Sequence, residues 1–488
     1  MQKLSLLDAT FLYAETDNTP MHVAGLQHFE LPPDQDADAF YESLKRFVEA
    51  RAHLVPFMLR RLRPAPLGMD HPVWVLDTTF DIDYHVQRVT LPAPGTTEQL
   101  EEAAAELHSQ PLDRARPLWR WWLIDGLESG RVAWYTQYHH ACLDGMGGQA
   151  IFEIFFGPTP EPPPVPVAPE EMDEEDPGTW GLLRDTALRF GANPVRFARM
   201  LPDLARTTQD LATRAFRSVG GMRAVMPRVP RTRFSVAIGP ERALALGSIP
   251  LTPLKAIGRR HGCTVNDAFL AVCAGGLRSY LEQLGELPER SLVAGTPVSV
   301  RKPGDTSLHN QVSMLMCDLA TDREDPVERM KAIRESIDGG IEVVRQLDNV
   351  HLGDLTVLGL PIAFQGVATL ANRLRLGSII RLPMNLVISN IPGPRQTLYL
   401  NGARLLTHYP VSIPSHGNAL NITVQSYGER MDFGLVACRR TVPDVHTLRD
   451  HVLQAWDELQ RAAGKTPAPP LPVEPPARPA SGPRQTLA

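Results

Sequence analysis

The chain has 488 residues, 43% of them hydrophobic and 21% charged, which is more than one ordinary core serves, so two large domains are expected. A formal net charge of −6 excludes the basic balance of a nucleic-acid binder. Five cysteines (Cys142, Cys263, Cys273, Cys317, Cys438) without a CxxC pair argue against a disulfide framework or structural zinc and suit a reducing compartment.

The opening residues Met1 to Asp8 lack the apolar run and cleavage site of a secretory signal, so a cytoplasmic location is expected. Asp38 to Val55 reads as a helix ended by Pro56, with the basic stretch Arg60 to Arg63 just beyond. Val73 to Leu76 reads as a short strand and Glu98 to Gln110 as a helix. Trp119 to Ile124 and Arg131 to Tyr138 read as paired strands around Glu128-Ser129-Gly130. Met146 to Phe156 has apolar residues at helical spacing. The stretch 157–178 is proline-rich and then acidic, the strongest linker signal in the chain. From Trp180 to Arg233 eleven arginines stand against three aspartates with no lysine or glutamate, and apolar residues recur at helical spacing. That stretch predicts a helical connector with a basic face, suited to packing across the domains or to meeting anionic headgroups or phosphates.

The second half repeats the mixed style. Helices are expected over Thr264 to Leu284 and Pro326 to Gln346, and strands over Ser291 to Val300 and Met384 to Ser389. A hairpin is expected from Ala419–Tyr427 and Met431–Cys438 around Gly428, then a closing helix from Thr447 to Ala463. Leu355 to Asn372 runs eighteen residues without a charge, but Pro361, Gln365 and several small residues favour a buried helix or tunnel wall over a membrane span. The domain expectation is therefore 1–156, a connector over 157–233, a second domain over 234–464 and a disordered proline-rich tail over 465–488.

His139-His140-Ala141-Cys142-Leu143-Asp144-Gly145 sits where a strand gives out into a loop, a position that presents reactive side chains on a rigid scaffold. An imidazole there titrates near neutrality and can take a proton from a hydroxyl or thiol. A metal site would need more ligands; His22, His85 and Asp144 are the obvious extras, no HExxH-type pattern supports one, and no metal is expected. A nucleophilic serine lacks a GxSxG elbow. Cys142, two residues from His140 on one turn, is badly placed to use it as a base. A lone general base acting on a substrate hydroxyl and a purely structural histidine pair both stay open.

The seven-residue pattern itself, HHxxxDG, resembles the signature of the coenzyme A-dependent acyltransferases of chloramphenicol acetyltransferase-like fold, which include peptide-synthetase condensation domains. The surrounding blocks resemble the bacterial wax ester synthase/diacylglycerol acyltransferase family over about residues 1–462. They are Leu4-Ser5-Leu6-Leu7-Asp8 with Pro20-Met21-His22-Val23, Pro111-Leu112-Asp113 with Pro117-Leu118-Trp119, Thr264-Val265-Asn266-Asp267, Pro297 to Arg301, Ser389 to Pro394, and Pro410-Val411-Ser412 with Leu420 to Thr423. Leu435 stands where condensation domains carry a tryptophan after Asp432-Phe433-Gly434, which disfavours that branch. A condensation-type former of amides or esters from carrier-bound acyl groups, and a silent lipid-binding relative, are the alternatives.

The resemblance implies an α/β fold of two chloramphenicol acetyltransferase-like domains with the active site at their interface. It implies acyl-CoA as co-substrate with no further cofactor, and diacylglycerol or a fatty alcohol as acceptor. It makes His140 the base, His139 a support, Asp144 a brace paired with an arginine (Arg60, Arg61 and Arg301 are candidates) and Gly145 the residue that lets the loop turn. Asn266 and Asp267 are expected at the substrate site, Asn266 as a donor near the oxyanion, and Pro117-Leu118-Trp119 as packing or acyl-chain wall. With no span expected, contact with a membrane or lipid-droplet surface would be peripheral.

Overall fold

The computed structural model describes residues 2–4, 6–66, 71–142, 151–166, 178–184, 229–299, 312–347, 382–464 and 468–475. Its first half opens with β1 (Gln2–Lys3) and α1 (Leu6–Ala14), then β2 (His22–Glu30) and α2 (Ala37–Arg51). β3 (Arg60–Arg63), β4 (Val73–Leu76), α3 (Ile82–His85) and β5 (Val86–Thr90) follow. α4 (Thr97–His108), β6 (Trp119–Asp125), β7 (Val132–His139) and β8 (Phe156–Gly157) complete it. The second half runs β9 (Arg242–Pro250), α5 (Leu251–Arg260), α6 (Val265–Gln283), β10 (Val293–Ser299), β11 (Val312–Asp318) and α7 (Pro326–Leu347). It ends with β12 (Leu386–Ile391), β13 (Tyr399–Leu400), β14 (Ala403–Val411), β15 (Leu420–Tyr427), β16 (Arg430–Cys438) and α8 (Val445–Ala462).

These strands form two large mixed sheets, ordered β5-β6-β7-β2-β14-β13-β8 and β11-β10-β12-β15-β16-β9, and a small one, β1-β4-β3. The two-domain α/β expectation holds, with one correction to its boundaries. β13 and β14 come from the second half of the chain yet complete the first sheet, β14 pairing antiparallel with β2 from Arg404↔Glu30 to Val411↔Ala24. No local pattern marks such a crossover, because strand pairing is settled by partners distant in sequence.

One face of the first sheet buries Trp119, Trp121 and Trp134 against Phe40, Leu44 and Val48 of α2. Its other face packs Leu26 and Tyr135 against Leu100 and Ala104 of α4 and against Leu244, Leu246 and Val436 of β9 and β16. That second cluster is the seam between the domains. Each fully buried large apolar side chain stabilises by about 1.5–3 kcal/mol, so the seam is a core rather than a loose contact. In the second domain, α6 is buried along most of its length and crosses α8 closely at Gly276, where a Cβ would lie 2.6 Å from Val452 Cα.

The expectation of a disordered tail fails for 468–475. Trp456 Nε1 donates to the Ala468 carbonyl (3.2 Å), Leu471 N to that of Ser248 (2.9 Å) and Tyr409 Oη to that of Val473 (2.7 Å), while Arg131 meets Glu474. The segment crosses both domains as a strap because its prolines need no ladder partners and its carbonyls find donors on both sides. Among the described residues no helix is long and apolar enough to cross a membrane. The stretch Leu355 to Asn372, and most of Trp180 to Arg233, lie outside them.

Candidate active site

β7 is a central strand, held by β6 (Trp119↔Tyr138) and by β2 (His22↔His139), and its last residue is His139. There the ladder gives way to a turn: His139 N donates to the Leu118 carbonyl (3.0 Å), His140 N to that of Met21 (2.8 Å) and Cys142 N to that of His139 (2.9 Å). The backbone of both histidines is thereby pinned to two neighbouring segments.

The two rings live differently. That of His139 is fully buried. Its Nδ1 accepts from Ala141 N (3.0 Å), so the ring proton resides on Nε2, which lies 3.3 Å from Glu15 Oε1. Glu15 follows α1 directly, and its carboxylate also accepts from Met21 N (3.1 Å) and from Arg114 Nε (2.8 Å). Burial alone would raise the Glu15 pKa; the bonds and charges of His139 and Arg114 outweigh it and hold the group at about 2. One buried carboxylate thus fixes the His139 ring directly and the His140 backbone through Met21. The His140 ring is only half-buried and stacks on Phe11 of α1, with centroids 4.0 Å apart at an interplanar angle of 10°.

Glu15 was not foreseen. A single acid closing an apolar helix, just before Pro20-Met21-His22, was the available signal, but only the tertiary structure brings it to His139. The brace role expected of Asp144 cannot be compared with it, since Asp144, Gly145 and Arg301 lie outside the described residues. Arg61 lies 3.9 Å from Asp77 in its own small sheet, and Arg60 is its neighbour on β3.

In the Pro117-Leu118-Trp119 block, expected as packing or acyl-chain wall, Leu118 and Trp119 pack into the fold. Leu118 and Trp119 are fully buried, Trp119 Nε1 donates to the Met58 carbonyl (2.9 Å), and the Leu118 carbonyl is the one that holds His139 N. His22 and His85 are likewise committed, through bonds to the carbonyls of His108 (2.9 Å) and Trp119 (2.7 Å). Burial lowers both to about 4, so they stay neutral. Among the described residues no three His, Cys, Asp or Glu side chains gather as a metal site. Burial pushes the Cys142 thiol well above its ordinary range, which leaves it unreactive.

Asn266 and Asp267 part company. Asp267 is buried and caps its own helix: Thr264 N donates to its Oδ2 (2.7 Å), Thr264 Oγ1 accepts from Asp267 N (3.2 Å), and Arg334 lies 3.5 Å away. These bonds give Asp267 a structural role at the start of α6. Asn266 faces a cavity of about 380 Å³ in the second domain, where its Oδ1 accepts from Asn390 Nδ2 (3.2 Å).

The buried scaffold around the end of β7 presents one half-buried imidazole, that of His140, as acyltransferases of the HHxxxDG class do. Residues 4–269 match the wax ester synthase/diacylglycerol acyltransferase catalytic domain, and residues 308–460 the C-terminal domain of the same family. The chain belongs to the wax ester synthase/diacylglycerol acyltransferase family. It is 36% identical over 466 residues to a Mycobacterium tuberculosis protein named probable diacylglycerol O-acyltransferase tgs2, covering 94% of this chain and 98% of that one. Among solved structures it resembles the wax ester synthase/diacylglycerol acyltransferase from Marinobacter aquaeolei VT8, with a TM-score of 0.67 and 30% identity over 95% of this chain and 100% of that one. The first condensation domain of the calcium-dependent antibiotic synthetase shares the fold at 13% identity, with a TM-score of 0.55 over 95% and 96% of the two chains.

Proposed function

We propose that the protein transfers a long-chain acyl group from acyl-CoA to the hydroxyl of a diacylglycerol or a fatty alcohol, with His140 as general base. The observation that carries this reading is the division of labour between the histidines: the His139 ring is fully buried, with Nδ1 bonded to Ala141 N and Nε2 facing Glu15 at 3.3 Å, whereas His140 is pinned by its backbone and keeps its ring partly exposed. The His140 imidazole takes the hydroxyl proton as the alcohol oxygen attacks the thioester carbonyl. The tetrahedral oxyanion collapses, the C–S bond breaks, and the imidazolium returns the proton to the CoA thiolate. The products are the ester and free CoA, and no acyl-enzyme forms. General-base assistance of this kind contributes roughly 10²–10⁴-fold; positioning of the two substrates supplies more.

The names of the relatives support diacylglycerol and long-chain alcohols as acceptors. Such acceptors reside in membranes or lipid droplets, so the protein is expected to dock there peripherally. Trp180, 84% exposed on a helical stretch over 178–184 at the head of the arginine-rich segment, supports that docking. Thiol release from palmitoyl-CoA with hexadecanol or diolein tests the reaction. His140→Ala is expected to lose at least about 100-fold in kcat, and a variant as active as wild type rejects the mechanism. Sedimentation with anionic vesicles tests docking. Binding that survives Trp180→Ser combined with Arg196→Glu and Arg199→Glu rejects that surface.

A further inference from the structure

One turn of α1 serves both histidines. Glu15 N donates to the Phe11 carbonyl (3.1 Å), the bond of a continuing α-helix, so Phe11 and Glu15 lie one above the other on the same face. The Glu15 carboxylate meets the buried ring of His139, and the Phe11 ring lies flat on that of His140, with centroids 4.0 Å apart and planes 10° from parallel. Ala9 and Leu12 seat the helix in a cluster with Leu62, Trp74, Leu118 and Ala141. Arg114 Nη2 donates to the Leu12 carbonyl (2.6 Å), and Tyr13 Oη is bonded to His71 Nδ1 (2.8 Å). A fixed helix thus delivers the Phe11 ring, which is itself only half-buried.

A parallel stack covers one face of the imidazole and leaves its edge alone. The lone pair and the N–H of the ring lie in its plane, so the contact does not stand between a nitrogen and an approaching hydroxyl. The face of a phenyl ring carries the negative part of its quadrupole, and a cation over that face is stabilised, more strongly when desolvated. A neutral imidazole gains little from this, and an imidazolium gains it in full. A His140 that acts as base is cationic between taking the proton from the alcohol and returning it to the CoA thiolate. The stack is therefore tighter in the transition state than before it, which is the condition for a contact to speed the reaction.

We propose that Phe11 is a positioning residue for the acyl transfer: its ring holds the His140 imidazole in one plane and stabilises the positive charge that this imidazole gains on taking the hydroxyl proton. The inference deepens the general-base reading above and rests on it. Among the described residues, the ionisable groups on the elements around His140 are Asp8 one turn before Phe11, Glu15 with Arg114, His22, His139 and Cys142. Glu15, at about 2, stays anionic near neutral pH, and burial keeps His22, at about 4, uncharged and Cys142 a thiol. His139 is the other imidazole, and a titration read at the His140 ring itself separates the two.

The test is an NMR titration of the protein carrying isotope-labelled histidine, in which the His140 signal is the one missing from His140→Ala. Wild type is compared with Phe11→Leu, which fills the space without a π face, and with Phe11→Tyr, which keeps the face. A trifluorinated phenylalanine in place of Phe11 keeps the shape and drains the face of its negative charge. The His140 pKa is expected to fall by roughly 0.4–1.5 pH units in Phe11→Leu and by less in the fluorinated protein, and to stay near wild type in Phe11→Tyr. In steady-state thiol release, kcat of Phe11→Leu should fall about 2- to 30-fold on the alkaline plateau, with KM for palmitoyl-CoA and hexadecanol within about twofold of wild type. The acid limb of kcat/KM should move to lower pH with the His140 signal, so the deficit narrows below it. A His140 pKa that is unchanged or higher in Phe11→Leu overturns the proposal, and so does a kcat deficit equal at every pH. If Phe11→Leu fails to fold, the fluorinated protein decides alone, and an unmoved His140 signal in it overturns the proposal. If wild type releases no thiol, or His140→Ala matches it, the base reading itself fails, and the titration still decides whether the Phe11 ring stabilises the imidazolium.

Discussion

Replacing Glu15 by glutamine keeps the shape of the side chain and removes its charge. In the folded protein the carboxyl sits at about 2 against an ordinary 4.5, a gap that corresponds to about 3 kcal/mol. Because the folded pKa is depressed, that stabilisation is present above about pH 4.5 and is lost as the pH falls through the folded value toward 2. Part of it involves Arg114, whose side chain is 46% exposed, so solvent screening reduces the share that Glu15→Gln removes to roughly 1–2 kcal/mol. Unfolding entropy of about 2.1 cal/mol/K per residue, summed over this chain, converts that to a Tm shift of about 1–2 °C. The effect on catalysis should be much larger than so small a shift suggests. His139 Nε2 loses its anion and the Met21 bridge to His140 is weakened, so kcat is expected to fall at least about tenfold out of the 10²–10⁴ that a base contributes, with KM for both substrates held within twofold of wild type. The assay pairs steady-state thiol release with urea unfolding at pH 7 and pH 4. Wild type should lose more stability than the variant between those pH values. A variant with wild-type kcat, or with an identical loss of stability between pH 7 and pH 4, refutes the account of Glu15 as the residue that orients the histidines.

N-ethylmaleimide at pH 7 should leave thiol-release activity intact, since Cys142 and the other four cysteines are free and four are buried; rapid inactivation that tracks modification of Cys142 would revive a cysteine nucleophile. Truncation after Gly464 removes the strap and its bonds to Ser248, Tyr409 and Trp456, each worth about 1 kcal/mol, and should lower the thermal midpoint by a few degrees; an unchanged melt shows the strap to be idle. His446 of α8 meets the fully buried Glu101 of α4 across the domain seam at 2.8 Å, and that hydrogen bond raises its pKa. Its contribution is complete below about pH 6.5 and fades as the pH rises through the raised folded value. The stability difference between wild type and His446→Asn should therefore shrink from pH 6 to pH 9, and a difference that grows over that range contradicts the pairing.

Most single elements were legible because their cues are local. Val73–Leu76 is the observed strand residue for residue. The Thr264–Asp267 spacing announced a capped helix start and the structure shows the full capping box. The family blocks located His140 at a strand end for the same reason. What escaped was set by distance in sequence. Glu15 acquires its role only when α1 folds over the end of β7. The cavity lined by Lys255, Asn266 and Arg395 exists only because parallel strands end on one edge. For Leu118 and Trp119 the sequence left packing and acyl-chain wall side by side, and only the fold shows the Trp119 indole spent on the Met58 carbonyl. Asp267 was singled out by its position in the block, and its bonds add that it caps its own helix.

The strand crossover has a consequence for how the protein is made. His28 of β2 bonds to Thr407 of β14, 379 residues further along the chain. At about 5–20 residues per second on the ribosome, the free edge of β2 waits roughly 20 to 75 seconds for its neighbour to be synthesised. During that interval a nascent first domain exposes an open β-edge, the surface that invites pairing with another chain. Cutting the proline-rich connector afterwards should leave the two halves gripping each other, whereas the amino-terminal half expressed alone should depend on chaperones until the missing strand is supplied in trans.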